Sequence, residues 1–84
     1  MKNKYLVYIL RCADGTLYIG STNDIVRRLK EHNESKNGAR YTKARRPVTL
    51  VYKEAGYTRS SALGREYELK KLSRREKLDL ISKE

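Results

Sequence analysis

Lys4-Tyr5-Leu6-Val7-Tyr8-Ile9-Leu10-Arg11-Cys12-Ala13-Asp14-Gly15-Thr16-Leu17-Tyr18-Ile19-Gly20 is the stretch on which the fold turns. From Lys4 to Arg11 it is aromatic and β-branched, with apolar side chains at both parities, as in a central strand covered on both faces. Ala13-Asp14-Gly15-Thr16 is a turn, and Leu17-Tyr18-Ile19-Gly20 reads as the returning strand of a β-hairpin. Two registers are open. A two-residue Asp14-Gly15 turn pairs Ala13 with Thr16 and sends Tyr8 and Tyr18 to opposite faces. A three-residue loop, with Gly15 left-handed in a G1 bulge, pairs Cys12 with Thr16, sets Tyr18 opposite Leu10 and puts both phenols on one face. If the two tyrosines serve one site, the bulged loop is required. Gly15 and Gly20 are both expected at structural turns.

Downstream, Ser21-Thr22-Asn23-Asp24 offers capping oxygens to a helix over Ile25-Val26-Arg27-Arg28-Leu29-Lys30-Glu31-His32 that ends near Asn37-Gly38. Arg40 to Arg46 has room for one or two helical turns before Pro47, because proline disfavours helix at the residue preceding it. Val48 to Lys53 resumes strand character. A helix is expected from about Ser60 to Leu72, and Ser73-Arg74-Arg75-Glu76 matches the capping box that opens another over Leu78, Leu80 and Ile81. The order β-β-α-(α)-β-α-α gives one α/β (α+β) domain over residues 1–84, a small three-stranded, mainly antiparallel sheet flanked by helices.

The 84 residues carry a net charge of +10 and seven Tyr with no Phe or Trp. A chain of this length buries a thin core, so tyrosine must fill part of it, and Tyr5, Tyr52 and Tyr67 are assigned there. No apolar run is long enough to span a bilayer. The basic start Met1-Lys2-Asn3-Lys4 leads into an apolar stretch too short for a signal peptide. Cys12 has no cysteine to pair with, and with His32 alone it cannot complete a tetrahedral zinc site. A cytoplasmic protein without structural metal is expected. The charge favours polyanions, of which nucleic acid is the commonest.

Polar side chains stand where the core should be. At about 100° per residue, Arg28, Leu29 and His32 all lie within about 60° of Ile25, while Arg27, Lys30, Glu31 and Glu34 take the outer side. A guanidinium and an imidazole one turn apart on a sheet-facing arc need partners, which points to a polar cleft. In the late helix Glu66 falls inside the arc of Ala62, Leu63, Tyr67, Leu69 and Leu72, with Lys70 beside it. A surface Glu66–Lys70 pair is the simple reading. Because Glu68, Lys71 and Arg75 already populate the outer face, Glu66 is instead a candidate ligand for a hard divalent cation.

Tyr8, Tyr18-Ile19-Gly20, Arg28, His32 and Glu66 together resemble the GIY-YIG nuclease superfamily over nearly the whole chain, in its small stand-alone bacterial form. The first half of the signature keeps only its tyrosine, in Leu6-Val7-Tyr8, and no Asn follows Glu66 as it does in some members. The resemblance implies that Glu66 binds one Mg²⁺ or Mn²⁺ at the scissile phosphate and that Arg28 stabilises charge there. It implies that Tyr8, Tyr18 and His32 position or deprotonate the attacking water; which tyrosine is the base stays open.

Lys36, Arg40, Lys43, Arg45 and Arg46 fall in a stretch without acids that also holds Tyr41, a stacking or sugar contact. As a group, with Lys70, they are expected to anchor DNA by its phosphate backbone. No base-reading element is present, so selectivity would come from DNA structure or from a protein partner. The leading reading is a metal-dependent DNA endonuclease acting on branched or damaged DNA. The alternative is a nucleic-acid-binding module of the same fold with little or no cleavage.

Overall fold

The computed structural model describes residues 4–34, 36 and 38–83; the basic start at 1–3 and the helix end expected at Asn37 lie outside the described residues. Strand β1 is Tyr5–Arg11, β2 Leu17–Thr22 and β3 Thr49–Tyr57; the helices are α1 Ile25–Glu34, α2 Arg40–Lys43, α3 Arg59–Lys70 and α4 Arg74–Ser82. The sheet is antiparallel in the order β2-β1-β3, so the strand with apolar side chains at both parities is the central one. On one face Val7 and Ile9 cluster with Ile19 and with Ala62 and Leu69 of α3. On the other, Tyr8 and Leu10 cluster with Cys12 and Val48, backed by Ile25 and Leu29 of α1. Each large side chain buried in this way contributes about 1.5–3 kcal/mol.

The hairpin takes the bulged register. Leu10 faces Tyr18 and Arg11 faces Leu17. Cys12 N–H donates to Thr16 O at 2.8 Å and Gly15 N–H to Cys12 O at 2.9 Å, with Gly15 at φ 86°. That value lies in the region glycine enters without steric cost. Gly20 is not at a turn, however. It sits within β2, directly opposite Tyr8, and its role is packing.

Strand β3 continues four residues past the expected Lys53. Glu54-Ala55-Gly56 has weak strand propensity, but pairing with the central strand overrides it. The register shift between Tyr5 and Leu6 leaves Gly56, at φ 96°, as an extra residue on β3. Glu54 then becomes the centre of a polar knot. Arg65 donates to both its oxygens, at 2.8 and 2.9 Å, and the Tyr52 and Tyr57 hydroxyls donate to it as well. Arg65 above all, against the cost of burial, holds the Glu54 carboxyl down to about 2.

Both late helices begin on reciprocal caps, Thr58 with Ser61 and Ser73 with Glu76, the second as its S-x-x-E spacing predicts. The core assignment of Tyr67 is wrong. Tyr67 is 63% exposed and Leu63 55%, and Lys71 Nζ lies 4.4 Å from the Tyr67 ring centroid. Helix α3 rests on the sheet along Ala62, Arg65, Glu66 and Leu69, whose middle members are charged. Side chains one position further round therefore turn outward. Tyr5 and Tyr52 do pack against the core.

Candidate active site

The site is built around β2, an edge strand, starting from a missing side chain. A Cβ on Gly20 would lie 2.5 Å from Tyr8 Oη, 2.8 Å from Tyr8 Cζ and 3.2 Å from Tyr18 Cε2. Only glycine lets the Tyr8 phenol fold over its cross-strand neighbour. The Tyr8 and Tyr18 ring centroids are 6.5 Å apart.

Helix α1 brings Arg28 and His32 to the same place. His32 is fully buried, its ring 5.9 Å from that of Tyr8 and 5.1 Å from that of Tyr18. Tyr8 Oη and His32 Nε2 are 2.8 Å apart. His32 Nδ1 lies 2.9 Å from the hydroxyl of Thr42, which itself donates to Ala39 O at 2.9 Å. Burial first, then the nearby Arg28, pushes the His32 imidazole down to about 4, so it is neutral near pH 7. Burial, and next the Tyr18 phenol, pushes Tyr8 up to about 12 against the pull of the nearby Arg28 charge. Arg28 Nη1 also donates to Glu31 Oε1 at 2.8 Å.

Glu66 approaches from the other face of the sheet. Ser21 follows the parity of Ile19 rather than that of Tyr18, and its hydroxyl donates to Glu66 Oε1 at 3.0 Å. Lys70 Nζ lies 2.7 Å from Glu66 Oε2, so the helix-surface pair exists as well. The Glu66 charge is felt at Tyr8, whose ionisation it opposes. Two recesses flank it along the strand. One, of about 360 Å³, is lined by Ser21, Thr22 and Asn23 together with Arg27, Arg28 and Arg59. The other, of about 220 Å³, lies between Tyr18, Tyr41, Lys70 and Lys77 over Leu17 and Ile19. Glu66 bonds one residue from each, which places it between them.

Of the proposed anchors, Lys36, Arg40 and Lys43 are exposed. Arg45 and Arg46 are committed to the fold. Arg46 donates from Nε to His32 O at 2.6 Å and from Nη2 to Glu31 O at 3.2 Å, closing the end of α1. Arg45 Nε sits 3.1 Å from Asp14 Oδ2, an ion-pair distance although its N–H is not aimed for a hydrogen bond. The Arg45 guanidinium covers the Tyr41 ring at 3.9 Å. Tyr18 stacks against that ring with centroids 6.0 Å apart. Tyr41 is thus held against Arg45 and Tyr18 while remaining 38% exposed. Pro47 lies beyond the end of α2, which stops at Lys43. Its cis peptide with Arg46 belongs to the loop that follows.

Ser21, Arg59, Thr42 and Lys77 did not stand out in the sequence. The parity of β2 could have separated Ser21 from the helix-capping residues with which it was grouped. Thr42 and Lys77 carry no local signal, because only tertiary packing brings α2 to α1 and α4 to β2.

As a metal site the donor set is sparse: no three His, Cys, Asp or Glu cluster among the described residues. One carboxylate suits Mg²⁺, which keeps several waters and takes phosphate oxygens as ligands. The exposed Lys70 ammonium would have to yield Glu66 Oε2 to the ion. The residues fit the group on those terms.

Two tyrosines, an arginine, a histidine and a glutamate gathered at the edge of a three-stranded antiparallel sheet define a catalytic domain of the GIY-YIG type. The family model described as "GIY-YIG catalytic domain" matches residues 4–79, and the chain belongs to this nuclease family. It is 56% identical over 77 residues to UPF0213 protein DP2720 of Desulfotalea psychrophila, covering 92% of this chain and 70% of that one. To UPF0213 protein SSP2268 of Staphylococcus saprophyticus it is 54% identical over 80 residues, covering 95% and 96%. The solution NMR structure of UPF0213 protein BH0048 from Bacillus halodurans matches with a TM-score of 0.58 at 47% identity, over 93% of this chain and 82% of that one. That of EF2693 from E. faecalis matches with a TM-score of 0.60 at 40% identity, over 98% and 90%. No helix among the described residues is long and apolar enough to cross a membrane.

Proposed function

We propose that this protein is a cytoplasmic, metal-dependent endonuclease that hydrolyses phosphodiester bonds in DNA, with branched or damaged DNA as its substrate class. The observation that carries this reading is the cluster of Tyr8, Arg28 and His32 against β2, with Glu66 bonded to Ser21 of the same strand from the other face and a basic recess on either side. A DNA strand lying along β2 would cross Glu66 with Arg27, Arg28 and Arg59 at one end and Lys70 and Lys77 at the other. These residues meet phosphates and sugars, which fixes position without reading sequence, so selectivity comes from DNA structure or a protein partner.

Hydrolysis places negative charge on the phosphate and leaving oxygens, and Arg28 is placed to offset it. A divalent cation held at Glu66 supplies the same charge neutralisation when bound. The water oxygen forms a bond to phosphorus and its proton passes to the Tyr8–His32 pair. The bond to the leaving sugar oxygen breaks, and that oxygen takes a proton from solvent.

A panel of branched, nicked and intact duplex DNAs, incubated with Mg²⁺ or Mn²⁺, tests the proposal. Cleavage by the wild type that is lost in Glu66→Ala and Arg28→Ala is the expected result. Cleavage undiminished in both variants would overturn the assignment. Binding without cutting would favour the second reading, a DNA-binding module in which Glu66 serves only its pair with Lys70.

A further inference from the structure

We infer that Thr42 is a positioning residue of this site: its hydroxyl, tied to the Ala39 carbonyl, holds His32 in the Nδ1–H tautomer and so fixes the direction in which the Tyr8 proton points. The catalytic consequence rests on the nuclease reading; the tautomer does not.

Counting protons along the chain of bonds gives this result. The Thr42 hydroxyl has a single proton, and Ala39 O, 2.9 Å away and also accepting from Thr42 N–H and Lys43 N–H, is an acceptor to which we assign it. Towards His32 Nδ1, also at 2.9 Å, the Thr42 oxygen can then only accept, which puts the imidazole proton on Nδ1 and leaves Nε2 a bare lone pair. That lone pair faces Tyr8 Oη at 2.8 Å. The other end of the chain gives the same answer independently. Tyr8 is 1% exposed and His32 Nε2, at 2.8 Å, is the acceptor its proton needs. The opposite tautomer would aim Nε2–H at the Tyr8 oxygen and strand the phenol proton in a buried site.

Helix α2 is one turn long, and Thr42 is its one buried residue, fully buried against His32. Beside Tyr41, which stacks on Tyr18, the helix's contribution to the buried side is the Thr42 hydroxyl. With the tautomer fixed, the Tyr8 oxygen keeps a lone pair for an incoming water. As that water loses a proton to Tyr8, the Tyr8 proton can move to His32 Nε2, so no free phenolate accumulates. With the proton on Nε2 this relay has no acceptor.

His32 is the chain's one histidine, so long-range ¹H–¹⁵N NMR spectra of untagged, ¹⁵N-labelled protein show one imidazole. In the wild type at pH 7 the proton is expected on Nδ1. Thr42→Val keeps the shape but removes the hydroxyl. With Nδ1–H then lacking an acceptor while Tyr8 still needs one at Nε2, the proton should be shared between the two nitrogens instead of held on Nδ1, and cleavage should fall about 10- to 100-fold. Thr42→Ser should restore both. A wild-type proton on Nε2, or a Thr42→Val protein with unchanged tautomer and cleavage, overturns the inference, since a merely packing threonine predicts the latter. If the wild type cuts no DNA, the nuclease reading falls while the spectra still decide the tautomer. If Thr42→Val fails to fold, the wild-type and Thr42→Ser spectra decide it.

Discussion

Replacing Gly20 with alanine adds one methyl group at the point where fold and site meet. The new carbon would stand 2.5 and 2.8 Å from the end of the Tyr8 ring and 3.2 Å from Tyr18. Carbon atoms pack at about 3.5–4.0 Å, so something must move by about 1 Å. The far end of a side chain normally moves cheaply, but this one is 1% exposed and bonded to the fully buried His32. Either Tyr8 swings away and breaks that bond, or β2 shifts against the central strand. Overpacking of this kind costs about 1–3 kcal/mol. For a domain of this size each kcal/mol lowers Tm by about 4–8 °C. Urea denaturation should show the lost stability, and the ¹⁵N shift of His32 Nε2 should report loss of the Tyr8 bond. Cleavage should fall by more than the unfolded fraction accounts for. A Gly20→Ala protein with wild-type stability and an intact Tyr8–His32 bond would refute the close-approach argument. Gly15→Ala is the contrast: its Cβ meets nothing within 4 Å, yet φ 86° is strained for alanine and costs about 1–2 kcal/mol without touching Tyr8.

Gly64, exposed on α3 with nothing within 4 Å of its Cβ, should gain about 0.8–1 kcal/mol as alanine by helix propensity, measurable as a raised Tm. The unfolded His32 titrates near 6.5 and the folded one at about 4, so the unfolded chain binds more protons between those values. Stability from burying it neutral is complete above about pH 6.5 and falls on acidification towards about 4, by on the order of 3 kcal/mol at most; urea midpoints that stay flat from pH 7.5 to 5 would contradict this. Glu54 is lowered from 4.5 to about 2, so its contribution is present above about pH 4.5 and lost as pH falls through about 2. Glu54→Gln should cost about 1.5–3 kcal/mol at pH 7 and flatten that acid limb in a pH series of denaturation curves. Lys43→Ala should reduce the salt slope of DNA binding by about one with little change in Tm, whereas Arg46→Ala should chiefly lower Tm; the reverse pattern would show Arg46 to be the phosphate anchor.

The sequence alone determined the elements and the face of the sheet on which most of the site lies. Apolar side chains at both parities marked the central strand, and the 3.6 period put Arg28 and His32 on one sheet-facing arc, whereas Tyr8 and Tyr18 share a face only because the hairpin takes the bulged register. The first two features follow from spacing, which is local. The hairpin register could be narrowed to two alternatives because the turn chemistry admits only those. The extension of β3 through Glu54-Ala55-Gly56 was not legible, since cross-strand pairing overrides weak propensity only after the sheet has formed.

What the tertiary structure decided is how each charge is used. Arg45 and Arg46 stood with Arg40 and Lys43 as interchangeable cations in the sequence, yet two are consumed by Asp14 and the end of α1 while the others remain exposed. Tyr67 fell on an apolar arc but faces solvent, because α3 leans on the sheet through Arg65 and Glu66. The Ser21–Glu66 bond and the Thr42 bond that orients His32 join residues 45 and 10 positions apart. Such contacts depend on the angle at which helices cross the sheet, and side-chain periodicity along one element carries no record of that angle.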